Sequence, residues 1–217
     1  MSNNDDVYHL YYFQGNCRAM ISHAILRYSK AKFEYHVISF NDWPKEKESG
    51  KFEYGQLPSL EINGHTISQS IAIQSYLSKK FNLMGKTLEE EAQILSLFCS
   101  FEDLNYFIHD LMGPKNDTEQ AKKEYEESKS NFFKKFGFFL KTYENIYKKN
   151  GKKKYFIGDY FTSADIYLAL ILYYYEDRLK CEKFIEESAP EVKKLTKRVL
   201  ENELKEFLEK DYSKNTW

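Results

Sequence analysis

Cysteine is scarce in this chain. Only three occur in 217 residues, Cys17, Cys99 and Cys181, and no C-x-x-C pair is present. Neither a dithiol redox centre nor a zinc site is suggested, and an odd, low count fits a reducing compartment. An excess of one charge is lacking too. Lys and Arg number 32 against 33 Asp and Glu, a formal net charge of -1, which gives no electrostatic case for nucleic acid or an anionic membrane. No apolar run approaches the ~18 residues of a membrane span. The first six residues are polar and acidic, so no secretory leader is expected and the location is expected to be cytoplasmic. No internal repeat and no long disordered segment is visible. Aromatic residues, by contrast, are abundant: 18 Tyr and 17 Phe. They read first as an aromatic-rich core, with a few to spare for a ligand cleft.

Residues 7–13 read as a strand. Residues 17–30 have helical spacing, with Met20, Ala24 and Ile25 on the buried face, and 35–40 read as a second strand. Residues 57–62 and 66–67 make a hairpin around Asn63 and Gly64, a strong turn pair. Residues 70–80 are a helix. The order β-α-β, then β-β-α, implies a mixed sheet covered by helices. Beyond residue 84 the pattern is wholly helical. Thr87 and Glu90 form a capping box ahead of a helix over 88–112, which Gly113 and Pro114 stop. A second long helix covers 118–149. Thr162 and Asp165 cap a core helix over 163–178, and two shorter helices finish the chain. Two domains are expected, 1–84 and 85–217.

The densest chemistry lies between Gln56 and Ser70. Pro58, just inside a short apolar run, suits the first residue of a strand and not its middle. A cis bond before it would turn the chain sharply and face the Leu57 backbone toward a ligand. Ser70 opens a helix carrying Ile71, Ala72, Ile73, Tyr76 and Leu77, and a helix start with free N–H groups is an anion site. Turn, hairpin and helix start together make half of a small-molecule pocket.

This arrangement resembles the glutathione-binding half of the soluble glutathione transferases of the Tyr type. Four further motifs stand in order at that family's spacing. Leu10, Tyr11, Tyr12 and Phe13 followed by Arg18 and Ala19 resemble its first strand and catalytic loop. Asp42, Trp43 and Pro44, with Lys47, resemble the segment over the glycine end of glutathione. Gln69 and Ser70 are similar to its Gln-Ser motif, and Gly158 with Thr162–Asp165 to the capping motif of its second domain. The Asp-Trp-Pro segment is most similar to the Sigma class, which includes the glutathione-dependent prostaglandin D synthases. The resemblance covers nearly the whole chain. It implies a thioredoxin-like N-terminal domain, a helical C-terminal domain, glutathione as co-substrate and a homodimer.

Conjugation needs a thiolate at neutral pH, and a free thiol with a pKa of ~8.5 is mostly protonated there. Lowering that value by ~2 units corresponds to roughly 2.7 kcal/mol, part of which a hydroxyl donating to the sulfur can supply. The resemblance assigns that hydroxyl to Tyr12. Tyr11 points to the opposite face by the period-two rule. Arg18 is implied near the sulfur. Cys17 stands where the family usually has glycine. It reads as a small buried residue, with a redox-sensitive site or a nucleophile as the alternatives. Trp43 and Lys47 are implied at the glycine carboxylate, Gln56 at a side contact, Leu57 and Pro58 at the cysteinyl backbone, and Gln69 and Ser70 at the γ-glutamyl carboxylate. Asp103, from the neighbouring subunit, is implied at the γ-glutamyl ammonium, a solvated acidic pair with Glu102 being the plainer alternative.

The electrophile side is expected from Phe13, Gly15, Asn105, Tyr106, His109 and Asp110. A charge at Asp110, where a Trp is usual, suits small polar electrophiles or peroxides better than a flat lipid-like substrate. Vertebrate Sigma enzymes hold a divalent ion between subunits on three acidic places. Here the first is Cys99, followed by Glu102 and Asp103. Losing an oxygen ligand disfavours a hard cation, so no metal is expected there. The helix over 88–112 has apolar positions on more than one side, including Leu95, Phe98, Leu104 and Phe107, which favours a homodimer. A non-enzymatic ligand-binding protein and a prostaglandin-type isomerase remain the competing readings.

Overall fold

The computed structural model describes residues 6–212 except 16, 109, 110 and 112, and of residues 106–108 it describes the backbone alone. Strand β1 is Val7–Phe13, helix α1 Met20–Tyr28 and strand β2 Lys32–Ile38. Alternation along β1 buries Tyr8, Leu10 and Tyr12 on one face and leaves His9, Tyr11 and Phe13 half-buried on the other. The crossover through α1 makes β1 and β2 parallel, as a helical connection of this length allows. Strand β2 begins three residues earlier than the 35–40 expected, because its pairing with β1 already starts at Lys32 opposite Val7.

A short helix α2, Trp43–Glu48, follows with Pro44 in its first turn and no buried residue. Strands β3 (Ser59–Ile62) and β4 (His65–Ser68) form the expected hairpin. Asn63 and Gly64 have φ of 50° and 77°, the positive pair that a type I′ turn requires. The Leu57-Pro58 bond is cis. The sheet order is β2-β1-β3-β4, with β3 antiparallel to both β1 and β4. Leu10 and Leu60, opposite each other in register, have no exposed surface. Helix α3, Ser70–Lys80, packs with α1.

The remaining described elements are helical: α4 (Leu88–Ile108), α5 (Glu119–Lys149), α6 (Ser163–Leu179), α7 (Glu182–Ser188), α8 (Pro190–Glu201) and α9 (Lys205–Lys210). Three short helices, not two, follow α6. The fold is thus a thioredoxin-like mixed-sheet domain followed by a helical one.

Both capping boxes form. Thr87 Oγ1 accepts from Glu90 N at 3.2 Å while Glu90 Oε2 accepts from Thr87 N at 3.2 Å. Asp165 accepts from the backbone N–H of Thr162 at 2.9 Å and of Phe156 at 2.7 Å. Helix α6 is buried on nearly every side, and Phe98, Phe101, Phe132, Phe136, Tyr143, Tyr167 and Tyr175 build an aromatic core around it. On α4, Phe98 and Leu104 enter that core while Leu95 stays exposed. The Phe107 side chain lies outside the described residues. The two halves meet where Ser163 N donates to Leu83 O at 2.9 Å and α1 packs on α6.

Candidate active site

The ends of β1 and β3 and the start of α3 converge on one cleft. It is lined by Phe13, Arg18, Trp43, Gly55, Gln56, Leu57, Pro58, Gln69 and Ser70 and has a volume of about 440 Å³. Sequence order explains the convergence. Phe13 ends β1, Pro58 precedes β3, and Ser70 starts α3 directly after β4. The edge of the Phe13 ring meets the Trp43 ring at 5.4 Å, so two separate segments share one wall. Gln69 has φ of 76°, a left-handed conformation that costs about 1–3 kcal/mol in a non-glycine residue and is common at ligand sites. Its amide donates to Gln56 Oε1 at 2.9 Å, which fixes both side chains at the cleft rim.

Charge in the cleft is organised by Glu102, reaching in from α4. Arg18 Nη1 lies 2.8 Å from Glu102 Oε2, and Ser70 Oγ donates to Glu102 Oε1 at 3.3 Å. One carboxylate of the helical domain therefore ties the β1–α1 loop to the start of α3. Asp103 is exposed and is not brought to the cleft of its own chain. Lys47 is not a lining residue but runs along Gly55, where an added Cβ would sit 3.0 Å from Lys47 Cε.

Tyr12 lies on the inner face of β1, away from Tyr11. Tyr11 stacks on His36 at 4.5 Å and donates to Glu61 at 3.3 Å. The Tyr12 side chain is 8% exposed. Burial pushes its hydroxyl well above the ordinary tyrosine range, with the nearby Cys17 thiol adding to the effect and the Arg18 backbone N–H, which donates to the hydroxyl, opposing it. A phenol held neutral in this way is a hydrogen-bond donor and not a base. The Cys17 thiol lies beside it. Cys17 is half-buried, not fully buried as expected; loss of solvent around the sulfur still pushes the thiol up, and the neighbouring Tyr12 only partly offsets the rise. A thiol that stays protonated is a poor nucleophile. No sequence signal joined Tyr12 to Cys17 or Arg18 to Glu102, because both contacts depend on how the loop after β1 folds back.

Of the residues expected on the electrophile side, Phe13 lines the cleft described above. Gly15 lines a larger cavity, about 680 Å³, between α1, β2 and α9. Asn105 is buried, and its Oδ1 accepts from the Tyr175 hydroxyl at 3.2 Å. The Tyr106 side chain, His109 and Asp110 lie outside the described residues.

An arginine and a helix start line one polar cleft. The buried Tyr12 hydroxyl, next to Phe13 and Arg18, lies behind its wall and is not a lining residue. Together they can bind a small thiol that carries two carboxylates and polarise its sulfur. Comparison with known proteins agrees. Residues 6–79 match the model of the glutathione S-transferase N-terminal domain, and residues 105–211 that of the C-terminal domain. The chain is 33% identical over 167 residues to probable glutathione S-transferase 5 of Caenorhabditis elegans, covering 75% of this chain and 77% of that one. It is 34% identical over 160 residues to hematopoietic prostaglandin D synthase of Mus musculus, covering 74% and 75%. The solved structure of a monomeric glutathione S-transferase, Na-GST-3 of Necator americanus, superposes with a TM-score of 0.76 at 30% identity, covering 95% of this chain and 98% of that one. With both domains matched in order, the chain belongs to the glutathione S-transferase family, which uses glutathione as co-substrate.

Proposed function

We propose that this chain activates the glutathione thiol through Tyr12 for attack on small, polar electrophiles, with hydroperoxides as a second class of acceptor. The observation that carries the reading is the buried, neutral Tyr12 hydroxyl beside a cleft that ends at Ser70. Glutathione lies with its sulfur toward Tyr12 and Arg18. Its cysteinyl backbone runs along Leu57 and Pro58, as an added strand would. Trp43 and Lys47 meet the glycine carboxylate, with Gln56 alongside. Gln69, Ser70 and the N-terminus of α3 hold the γ-glutamyl carboxylate. Phe13 faces the electrophile from the wall of the same cleft.

The same reading makes the protein a cytoplasmic homodimer of two-domain chains, divided at residues 84 and 85. Leu88 and Leu95, seven residues apart on α4, are both exposed. A C2 partner would cover such a stripe and deliver Asp103 to the neighbouring γ-glutamyl ammonium. Sedimentation of a monomer at micromolar concentration would contradict the dimer. The catalytic reading is tested with glutathione and a panel of acceptors: chlorodinitrobenzene, an isothiocyanate, a hydroperoxide and a prostaglandin endoperoxide. Turnover of the first three is expected. Turnover of the endoperoxide alone would instead make the chain an isomerase, and none at all a ligand-binding protein.

A further inference from the structure

The outer face of the sheet carries a side-chain cluster that the glutathione cleft does not use. His9 lies on β1, and Glu34 and His36 on the neighbouring edge strand β2. Parallel register sets His9 opposite Glu34 and Tyr11 opposite His36. His9 Nδ1 is 3.1 Å from His36 Nε2 and 3.3 Å from Glu34 Oε2, and His36 Nε2 is 3.4 Å from the same oxygen. The three atoms form a nearly equilateral triangle. Bonds of about 2.0–2.1 Å to a tetrahedral zinc ion set its ligand atoms about 3.3 Å apart, and the three observed edges bracket that spacing.

Hydrogen bonding alone satisfies this triangle poorly. Neutral rings carrying their N–H at both facing nitrogens could each donate to Glu34. That would set two donors against each other across the 3.1 Å His9–His36 edge, and a ring that turns its lone pair there instead leaves its edge to Glu34 without a proton. The surroundings fix the geometry. Tyr11 stacks on the His36 ring at 4.5 Å. Glu61, opposite His9 on β3, accepts from the Tyr11 hydroxyl and adds a second negative charge. Lys51 is the neighbouring cation, with its ammonium 3.9 Å from the Tyr11 ring centre. Glu34 is more than half exposed, which leaves an open side for a water as fourth ligand.

We propose that His9, Glu34 and His36 bind one divalent cation of the zinc type on the outer face of β1 and β2, apart from the glutathione cleft. Two imidazoles and one carboxylate suit zinc, cobalt, nickel or copper, and suit magnesium or calcium poorly. The ion would join the edge strand to its neighbour and stabilise the N-terminal domain by mass action.

The test uses the full chain without a histidine tag, stripped of metal by a chelator. Zinc chloride is titrated by calorimetry and cobalt chloride by visible absorption. One zinc per chain is expected, with a rise in melting temperature. His9→Ala, His36→Ala and Glu34→Gln should each weaken zinc binding ~10-fold or more, and His65→Ala should not. Conjugation of glutathione to an aryl halide, unchanged in all four variants, verifies folding. Absence of zinc uptake, unchanged affinity in either His9→Ala or His36→Ala, or a thiolate charge-transfer band in the cobalt spectrum, pointing to the exposed Cys99, would overturn the proposal.

Discussion

Ser70→Ala removes one hydroxyl from the start of α3. The side chain is 5% exposed, so the variant loses little surface and should fold. A hydrogen bond to a charged group is worth about 1.5–3 kcal/mol, which at 1.4 kcal/mol per decade is roughly 10- to 150-fold in affinity. The free protein already offers this hydroxyl a carboxylate, Glu102 Oε1 at 3.3 Å. Binding glutathione exchanges that long bond for another, so the net loss should be smaller, about 1–2 kcal/mol. Calorimetric titration with glutathione reads it directly. Glu102→Gln then separates two roles. If Ser70 meets the γ-glutamyl carboxylate, the Ser70→Ala loss persists in the Glu102→Gln background. If Ser70 acts only by holding Glu102, and through it Arg18 at 2.8 Å, the loss vanishes there. Unchanged affinity in Ser70→Ala, within about 0.3 kcal/mol, would remove the α3 start from the binding site.

Three other outcomes follow from the same structure. Cys17→Ala should keep conjugation, because burial keeps that thiol protonated; a tenfold loss, about 1.4 kcal/mol of barrier, would make Cys17 part of the chemistry. Asp165→Ala strips the acceptor from the N–H groups of Phe156 and Thr162, and at about 1–3 kcal/mol for each buried orphan urea unfolding should show a cost of roughly 2–6 kcal/mol. His23 is buried between Tyr35 and Phe207, and burial pulls it down to about 4 from 6.5, despite Asp211 at 3.3 Å. The unfolded chain therefore binds the extra proton first, so stability is full above pH 6.5 and falls as pH drops toward 4, by up to about 3 kcal/mol. His23→Phe should flatten that slope, and an unchanged slope would place the titration elsewhere.

Local sequence rules carried most of the fold. Strand β1 and helix α3 fall where alternation and the Gln-Ser boundary put them, because each has one fully buried face and a sharp start. Strand β2 is an edge strand with Lys32, Glu34 and Val37 exposed, so its start is set by pairing with β1 and not by a clean apolar pattern. Helix α2 buries nothing, which leaves no periodicity to read. The last helical stretch divides at residues 202–204, where Leu204 N bonds back to Val199 O, a break without proline or glycine to mark it. The cleft was legible as a set of motifs, and eight of the residues named from them line it: Phe13, Arg18, Trp43, Gln56, Leu57, Pro58, Gln69 and Ser70. What the motifs could not give is pairing across the fold. Glu102 reaches Arg18 and Ser70 from a different domain, and the Cys17 thiol comes beside Tyr12 across a loop. The His9, Glu34 and His36 triangle was hidden for the same reason, since strand register alone brings positions 9 and 36 together.

The thiol pKa of bound glutathione decides whether Tyr12 activates it. Saturate the protein with glutathione, follow thiolate absorbance against pH, and repeat with Tyr12→Phe, which removes one hydroxyl. In the wild-type complex the thiol should ionise about 1–2 units below its free value of ~8.5, while Tyr12 itself stays protonated beyond pH 10. In the variant the thiol should return toward ~8.5, and turnover at pH 6.5 should fall about 10- to 1000-fold, a deficit that closes as pH rises past the free value. Equal thiol pKa values in the two complexes would contradict the assignment of Tyr12 as the activating donor.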